Sequence, residues 1–91
     1  MPKKPLTKRP TRSIRAIAAE IQAEINSGAW SKTAAAYALP YLRAMHELTN
    51  ITDRYMVDSG KSVVLYFLCN SQTWRGETAR RIKSELRSMV V

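Results

Sequence analysis

The chain has 91 residues, of which 45% are hydrophobic and 24% charged, and it carries a formal net charge of +8 at pH 7. This is the composition of an ordinary globular protein, and a chain of this length forms one small domain with a thin core. A core of that size argues against two domains and against a large cleft with an elaborate catalytic apparatus.

The single cysteine, Cys69, excludes an internal disulfide. Secreted domains of this size usually carry several cysteines, so we expect a reducing, cytoplasmic location. The longest apolar run, residues 63–69, is far shorter than a membrane span, so no membrane segment is predicted. The basic N-terminal residues have no apolar stretch behind them, so no signal peptide is predicted either.

The basic residues are concentrated at the two ends of the chain. Residues 1–15 contain six basic residues and no acidic one, and residues 75–91 contain five basic and two acidic residues. Between them, residues 16–74 contain four basic and five acidic residues and are almost neutral. This arrangement is typical of contact with a polyanion, either nucleic acid or an acidic protein surface. The alternative is a solubilising tail combined with a solvated helix face.

Residues 1–11 are predicted to be a disordered basic arm, and residues 12–91 a single helical domain. Within the arm, three prolines fix φ and remove amide donors, and neighbouring cations repel one another. The first helix is predicted over 12–27, with Thr11 or Ser13 as its cap and Gly28 as its end. Its apolar residues recur at spacings of three and four and share one face: Ile14, Ile17, Ala18, Ile21 and Ile25.

A second helix is predicted after a cap at Ser31. Its apolar stripe consists of Ala34, Tyr37, Ala38, Tyr41, Met45 and Leu48. Pro40 lies within the stripe and either kinks one helix or starts a second piece, so a bend is predicted near Leu39. Residues 49–57 are predicted to be a loop with turn residues Asn50 and Asp53. The loop contains Ile51, Tyr55 and Met56, so we expect parts of it to pack against the core.

Residues 63–69 form an apolar run that fits either a buried strand or a buried helix. A lone strand would leave its backbone unpaired, so we predict a central, all-apolar helix over 60–70 with a cap at Asp58 or Ser59. Thr73 is then expected to cap the last helix, over 74–89. The predicted fold class is all-α, a small compact bundle of about four helices without a sheet. The residues expected to be buried are Ile17, Ile21, Tyr41, Met45, Val64, Phe67, Leu68, Ile82 and Leu86.

Gly60, Lys61 and Ser62 resemble the end of a phosphate-binding P-loop. That pattern requires a glycine at position 55, which is Tyr55, so we interpret the three residues as a helix N-terminus.

No catalytic residue, cofactor or metal is predicted. His46 is the only histidine and, with Cys69, cannot complete a zinc ligand set. We expect His46 to be half-buried beside the core and Cys69 to be a buried, inert thiol. No serine or cysteine has an identifiable base near it in sequence, so nothing indicates nucleophilic catalysis.

The last helix places Arg80, Lys83 and Arg87 on one side, adjacent to its apolar stripe. Arg81 is expected to pair with Glu77 or Glu85, four residues away in either direction. Arg75 is expected in the first turn, where a cation is unfavourable beside the helix dipole. A residue placed against local preference indicates a binding site, unless it simply reaches a carboxylate such as Asp58.

Aromatic and basic residues alternate near Tyr37, Tyr41 and Arg43 and again at Trp74 and Arg75. Exposed aromatic rings beside cations are able to stack on single-stranded bases. Because both tyrosines lie in the apolar stripe and Trp74 follows a turn, the expected role of these rings is in the core or at a cap.

The domain resembles a group of small uncharacterised proteins encoded by bacteriophages, prophages and related mobile elements. The resemblance covers about residues 14–90 and omits the arm. It is carried by Pro40-Tyr41-Leu42, Ala44-Met45, Asp58-Ser59, Tyr66-Phe67-Leu68 with Asn70, Trp74-Arg75-Gly76-Glu77, Ala79-Arg80-Arg81-Ile82-Lys83 and Glu85-Leu86. No activity is assigned to that group, so the resemblance implies a mobile-element origin and a bacterial host, and no catalytic residues.

We therefore predict a small non-enzymatic, phage-type binding protein that contacts nucleic acid or a host machine associated with nucleic acid. The predicted nucleic-acid contacts are Lys3, Lys4, Lys8, Arg9, Arg12, Arg15, Arg80, Lys83 and Arg87. The alternative is a host-directed protein–protein inhibitor, for example of a defence system, without direct nucleic-acid contact. Its interface would be formed by Trp74, Arg75 and the 49–57 loop.

Overall fold

The computed structural model describes residues 12–90, which form four helices and a short hairpin. In chain order these are α1 (Ile14–Asn26), α2 (Lys32–Met45), β1 (Arg54–Tyr55), β2 (Asp58–Ser59), α3 (Gly60–Cys69) and α4 (Glu77–Met89). The predicted all-α bundle is confirmed. The expectation that no sheet forms is wrong, because β1 and β2 make a two-residue antiparallel ladder. The predicted disorder of the arm, residues 1–11, lies outside the described residues, as does Val91.

Serine side chains start the first three helices. The hydroxyl oxygens of Ser13, Ser31 and Ser59 each accept a hydrogen bond from the amide three residues later, at 3.1–3.2 Å. Each bond satisfies one of the amides that a helix leaves unpaired at its start, so all three predicted caps are confirmed. The predicted end of α1 is also confirmed, because Gly28 adopts a φ of +89° just after the helix.

The second helix runs through Pro40 without interruption. The alternative of two separate pieces is therefore wrong, and the bend near Leu39 stays a prediction. Tyr37, expected in the core, is instead 64% exposed. The buried side of α2 is formed by Ala34, Ala38, Leu42, Ala44 and Met45.

The last helix begins three residues later than predicted. Thr73 does not cap it; the residue before the helix is Gly76, with a φ of +113° and no side-chain cap. Trp74 is drawn into the core before the helix starts, and Gly76 allows the chain to turn after it. Glu77 therefore occupies the first turn, where an anion is favourable, and Arg75 lies outside the helix.

The loop after α2 is locked to its neighbours by backbone bonds. The amides of Ile14 and Arg15 donate to the carbonyls of Thr49 and Leu48 at 3.0 and 2.9 Å, which ties the start of α1 to this loop. Gly60 donates to the Asp53 carbonyl at 2.6 Å, and a Cβ on Gly60 would lie 2.7 Å from the Ile51 carbonyl oxygen. Only glycine fits where α3 meets the loop.

Three aromatic rings form one end of the core. Trp30 stacks on Trp74 with 4.7 Å between ring centroids, and Phe67 lies within 6.5 Å of both. Trp30 belongs to the turn between α1 and α2, so no helical periodicity indicated its burial. Helix α2 packs against both α1 and α3, and α3 also contacts α4.

The central-helix prediction required α3 to be fully buried, and it is not. Val63, Val64 and Phe67 face the core, whereas Leu65 and Tyr66 are 41% and 51% exposed. In addition, Tyr41 and Leu68 are only half-buried, although both were expected in the core. The prediction that parts of the 49–57 loop pack against the core is confirmed, because Ile51 and Tyr55 do so, whereas Met56 is 82% exposed.

Candidate nucleic-acid interface

Arg12 and Arg81 are used in an ion-pair network between α1 and α4. Arg12 donates to both carboxylate oxygens of Glu85, at 2.7 and 3.0 Å, and to Glu20 at 2.8 Å. Arg81 pairs with the other oxygen of Glu20, so its predicted pairing with Glu77 or Glu85 is wrong. These contacts lower the carboxyl pKa of Glu20, chiefly through Arg81, and that of Glu85, chiefly through Arg12. Arg12, predicted to contact nucleic acid, is held by carboxylates.

Lys83 is also used inside the fold. Its ammonium donates to the carbonyls of Ser71 and Trp74 at 2.8 and 2.7 Å and lies 5.7 Å from the centroid of the Trp74 ring. Burial lowers the pKa of Lys83, and the neighbouring guanidiniums of Arg87 and Arg75 lower it further. Because the ammonium of Lys83 binds two carbonyls of the turn between α3 and α4, it fixes that turn. Arg75 and Arg87 are the two other cations near it.

Arg75, Arg80 and Arg87 are exposed around Lys83. Arg80 and Arg87 are seven residues apart on α4, which places them on the same side of the helix. Arg75 precedes α4, and within residues 12–90 no ion pair joins it to Asp58. We call these four residues, Arg75, Arg80, Lys83 and Arg87, the α4 basic surface. This surface contains all three residues predicted on the last helix, namely Arg80, Lys83 and Arg87. Among the described residues, the ammonium of Lys83 binds backbone carbonyls, whereas the guanidiniums of the three arginines do not.

The remaining predicted cations lie near the start of α1. Arg15 is exposed and donates to the Thr49 hydroxyl at 2.9 Å. An open cleft lies beside it, between the start of α1, the loop after α2 and the end of α4, and its lining includes Arg12, Ser13, Thr49 and Ser88. The predicted contacts in the arm, Lys3, Lys4, Lys8 and Arg9, lie outside the described residues.

Trp74 is 3% exposed, which contradicts its prediction as a protein-interface residue. Its ring is covered by Trp30 on one side and lies close to Lys83, so it is a core residue that supports the α4 basic surface. Arg75, predicted with it, is exposed and remains a surface candidate.

Two predictions about reactive side chains are wrong. His46 is exposed rather than half-buried, because α2 ends at Met45 and the chain turns away. Cys69 is exposed rather than buried, since it lies on the outer side of α3.

Exposed apolar side chains were missed by sequence reasoning. Tyr37 and Tyr66 expose their rings, and Met56 and Val57 at the hairpin tip are 82% and 86% exposed. Apolar periodicity assigns all large hydrophobic residues to a core, so it gives no signal for such positions. The sequence signal available for the tip was its position between the turn residue Asp53 and the candidate cap Asp58.

Among residues 12–90, no three His, Cys, Asp or Glu side chains are grouped in a way that would hold a metal ion. None of the four described helices is long and apolar enough to cross a membrane. Comparisons of the chain with protein-family models, curated proteins and solved structures find no match.

Proposed function

We propose that this chain is a non-enzymatic protein that binds the phosphate backbone of nucleic acid through the α4 basic surface and the basic arm. The observation that carries the proposal is that the exposed side chains of Arg80 and Arg87 lie on the same side of α4 as Lys83, beside the turn that carries Arg75. Holding like charges together is unfavourable in an isolated protein, and a polyanion removes that repulsion.

The distribution of carboxylates supports this proposal. Glu20, on α1, and Glu85, on α4, pair with Arg12 and Arg81, and Glu85 lies on the side of α4 away from Arg80 and Arg87. The ion-pair network is thus electrically balanced, and the net charge of +8 is left to the arm and to the exposed cations. An arginine guanidinium can donate two parallel hydrogen bonds to phosphate oxygens. Exposed guanidiniums on a rigid helix therefore set the orientation of a bound strand.

The arm has a separate role in this proposal. Lys3, Lys4, Lys8 and Arg9 supply phosphate contacts in addition to those of α4. Arg12 is excluded from the proposed contacts because its guanidinium is already bound by two carboxylates. Arg15 stays among them, since it is exposed and lies where the arm joins the domain.

The direct test is fluorescence anisotropy with labelled DNA and RNA oligonucleotides, single-stranded and duplex, at low salt. Wild-type protein is expected to bind, and the double variant Arg80→Gln/Arg87→Gln to bind more weakly. The matched control is Lys32→Gln/Arg43→Gln, which removes the same charge from exposed positions on α2. Absence of binding to every oligonucleotide at low salt would overturn the proposal.

A second candidate function, binding of a host protein, is favoured by the hairpin tip. Met56 and Val57 are two adjacent apolar side chains that point into solvent, and Met56 has a φ of +57°. Non-glycine residues in this conformation are uncommon and concentrate at functional sites. Capture from nuclease-treated bacterial lysate by wild-type protein, lost in Met56→Ser/Val57→Ser, would support this function in place of the first.

A further inference from the structure

Three tyrosines lie side by side on the outer surface of α2 and α3. Tyr41 and Tyr66 have ring centroids 5.8 Å apart, and Tyr37 lies one turn before Tyr41 on the same side of α2. The rings of Tyr37 and Tyr66 are 64% and 51% exposed. We call Tyr37, Tyr41 and Tyr66 the tyrosine row.

The two helices that carry the tyrosine row contain no acidic residue. No Asp or Glu occurs in residues 29–46 or in residues 59–76, which include all of α2, all of α3 and the turn that follows. The carboxylates of the sequence lie instead in α1, in α4 and between α2 and α3. Exposed aromatic rings on two helices without carboxylates, in a basic protein, match the chemistry of nucleic acid, in which aromatic bases are attached to anionic phosphates.

The aromatic end of the core brings the start of α2 close to the turn that precedes α4. Trp30, just before α2, stacks on Trp74, just before Arg75, so the start of α2 lies beside the turn that carries Arg75. Tyr37 is about 8 Å along α2 from its first residue. Along α2, Tyr37 is therefore closer than Tyr41 to the turn that carries Arg75.

We infer that the tyrosine row stacks on the bases of a single-stranded nucleic acid whose phosphates lie on the α4 basic surface. This inference rests on the proposed function and specifies its substrate. Bases in a duplex are stacked on one another and do not offer their faces, whereas unpaired bases stack on exposed aromatic side chains. Because every base has a π-face, the preference for single strands is expected to be largely independent of sequence.

A second copy of this chain is a poor occupant of the row. Each copy brings a net charge of +8, and neither copy has a carboxylate on α2 or α3 to pair with the other's cations.

The test compares single-stranded DNA, single-stranded RNA and duplex DNA of one sequence, binding to wild-type protein and to two double variants. Tyr37→Ala/Tyr66→Ala removes both exposed rings, and Tyr37→Phe/Tyr66→Phe keeps the rings without their hydroxyls. Tyr41 is left intact because it is half-buried. The alanine variant is expected to lose roughly 5- to 150-fold in single-strand affinity per ring. The phenylalanine variant is expected to bind like wild type, and duplex affinity to be unchanged in both. The DNA and RNA arms show which strand the row accepts.

The two proposals fail in different ways. If wild-type protein binds no oligonucleotide, the proposed function fails and the inference fails with it. If wild-type protein binds duplex as tightly as single strands, or the alanine variant keeps wild-type single-strand affinity, only the inference is overturned. Circular dichroism checks folding, and if the double variant is unfolded, the single variant Tyr37→Ala is measured instead.

Photo-crosslinking of a bromouracil-substituted strand gives a direct readout of the contact. Adducts are expected at Tyr37 or Tyr66, and adducts confined to other residues would contradict the inference.

Discussion

The guanidinium of Arg12 and the carboxylate of Glu85 form a two-pronged ion pair between residues 73 positions apart, with Nη2–Oε1 at 2.7 Å and Nε–Oε2 at 3.0 Å. The pair joins the segment before α1 to α4 and shares Arg12 with Glu20. Arg12, one of the basic residues of the N-terminal sequence, is therefore part of the fold's own contacts.

Replacement of Glu85 by Gln is expected to lower the free energy of unfolding by about 1 kcal/mol. Partly exposed ion pairs contribute up to about this much, and a bidentate arginine pair lies at the upper end of that range. Urea unfolding at neutral pH measures the change. The control, Glu47→Gln at an exposed position, is expected to change stability by less than about 0.5 kcal/mol. Equal effects of the two substitutions would contradict a structural role for the pair.

The same network predicts an acid dependence of stability. The carboxyl pKa values of Glu20 and Glu85 are lower in the folded protein than their ordinary value, which is about 4.3 in an unfolded chain. Their contribution is therefore complete above that pH and is lost as pH falls through the lowered folded values. Wild-type protein should lose stability below about pH 4 more steeply than Glu85→Gln. Parallel acid profiles for the two proteins would exclude this source of stability.

Replacement of Lys83 by Met is expected to destabilise the fold by about 1–3 kcal/mol. Met keeps the apolar stem, but the carbonyls of Ser71 and Trp74 lose their shared charged donor. Thermal unfolding checks this expectation. The control, Arg87→Met, removes an exposed cation from the same helix and is expected to leave stability within about 0.5 kcal/mol of wild type. If Lys83→Met is as stable as that control, the ammonium is not needed for the turn.

Replacement of Gly60 by Ala is expected to destabilise the protein by about 1–3 kcal/mol, because the new methyl group would press on the backbone carbonyls of Ile51 and Asn50. Helix propensity alone predicts the opposite sign, since Ala is favoured over Gly in a helix by about 1 kcal/mol. Urea unfolding therefore separates the two effects by sign. Lys61→Ala, at the next residue and exposed, controls for the first turn of α3. A stabilised Gly60→Ala protein would show that the close approach is absent in solution.

Helix positions were predictable because local chemistry determines them. Ser13, Ser31 and Ser59 each precede an apolar helical stripe and cap the helix that follows. Each cap is a contact between residues three positions apart, so the local sequence is enough to predict it. The start of α4 was not predictable in this way, since the burial of Trp74 depends on Trp30, which is distant in sequence.

The candidate site was only partly predictable for the same reason. The side of α4 that carries Arg80 and Arg87 follows from helical periodicity alone. The binding of Arg12 by Glu85 and of Arg81 by Glu20 spans 73 and 61 positions, so no local rule reveals it. The apolar stripe of α2 is wider than the part that neighbouring helices cover. The sequence of α2 alone does not show that Tyr37 lies in the uncovered part.

Deletion of residues 1–11 removes Lys3, Lys4, Lys8 and Arg9 and leaves the Arg12 network in place. Nucleic-acid affinity is expected to fall, and the slope of log affinity against log salt to flatten by up to about 3–4 units, because each phosphate contact contributes just under one unit. Anisotropy titrations over a range of salt concentrations measure both quantities. An unchanged slope would show that the arm does not contact phosphates.

The most direct test of phosphate binding by the α4 basic surface is the salt slope of the double variant Arg80→Gln/Arg87→Gln. Between about 50 and 200 mM salt, its slope is expected to be flatter than that of wild type by about 1.8 units on duplex DNA and about 1.4 on single strands. The matched variant Lys32→Gln/Arg43→Gln is expected to keep the wild-type slope. Equal slopes for wild type and both variants, or an equal loss in both variants, would contradict binding at this surface.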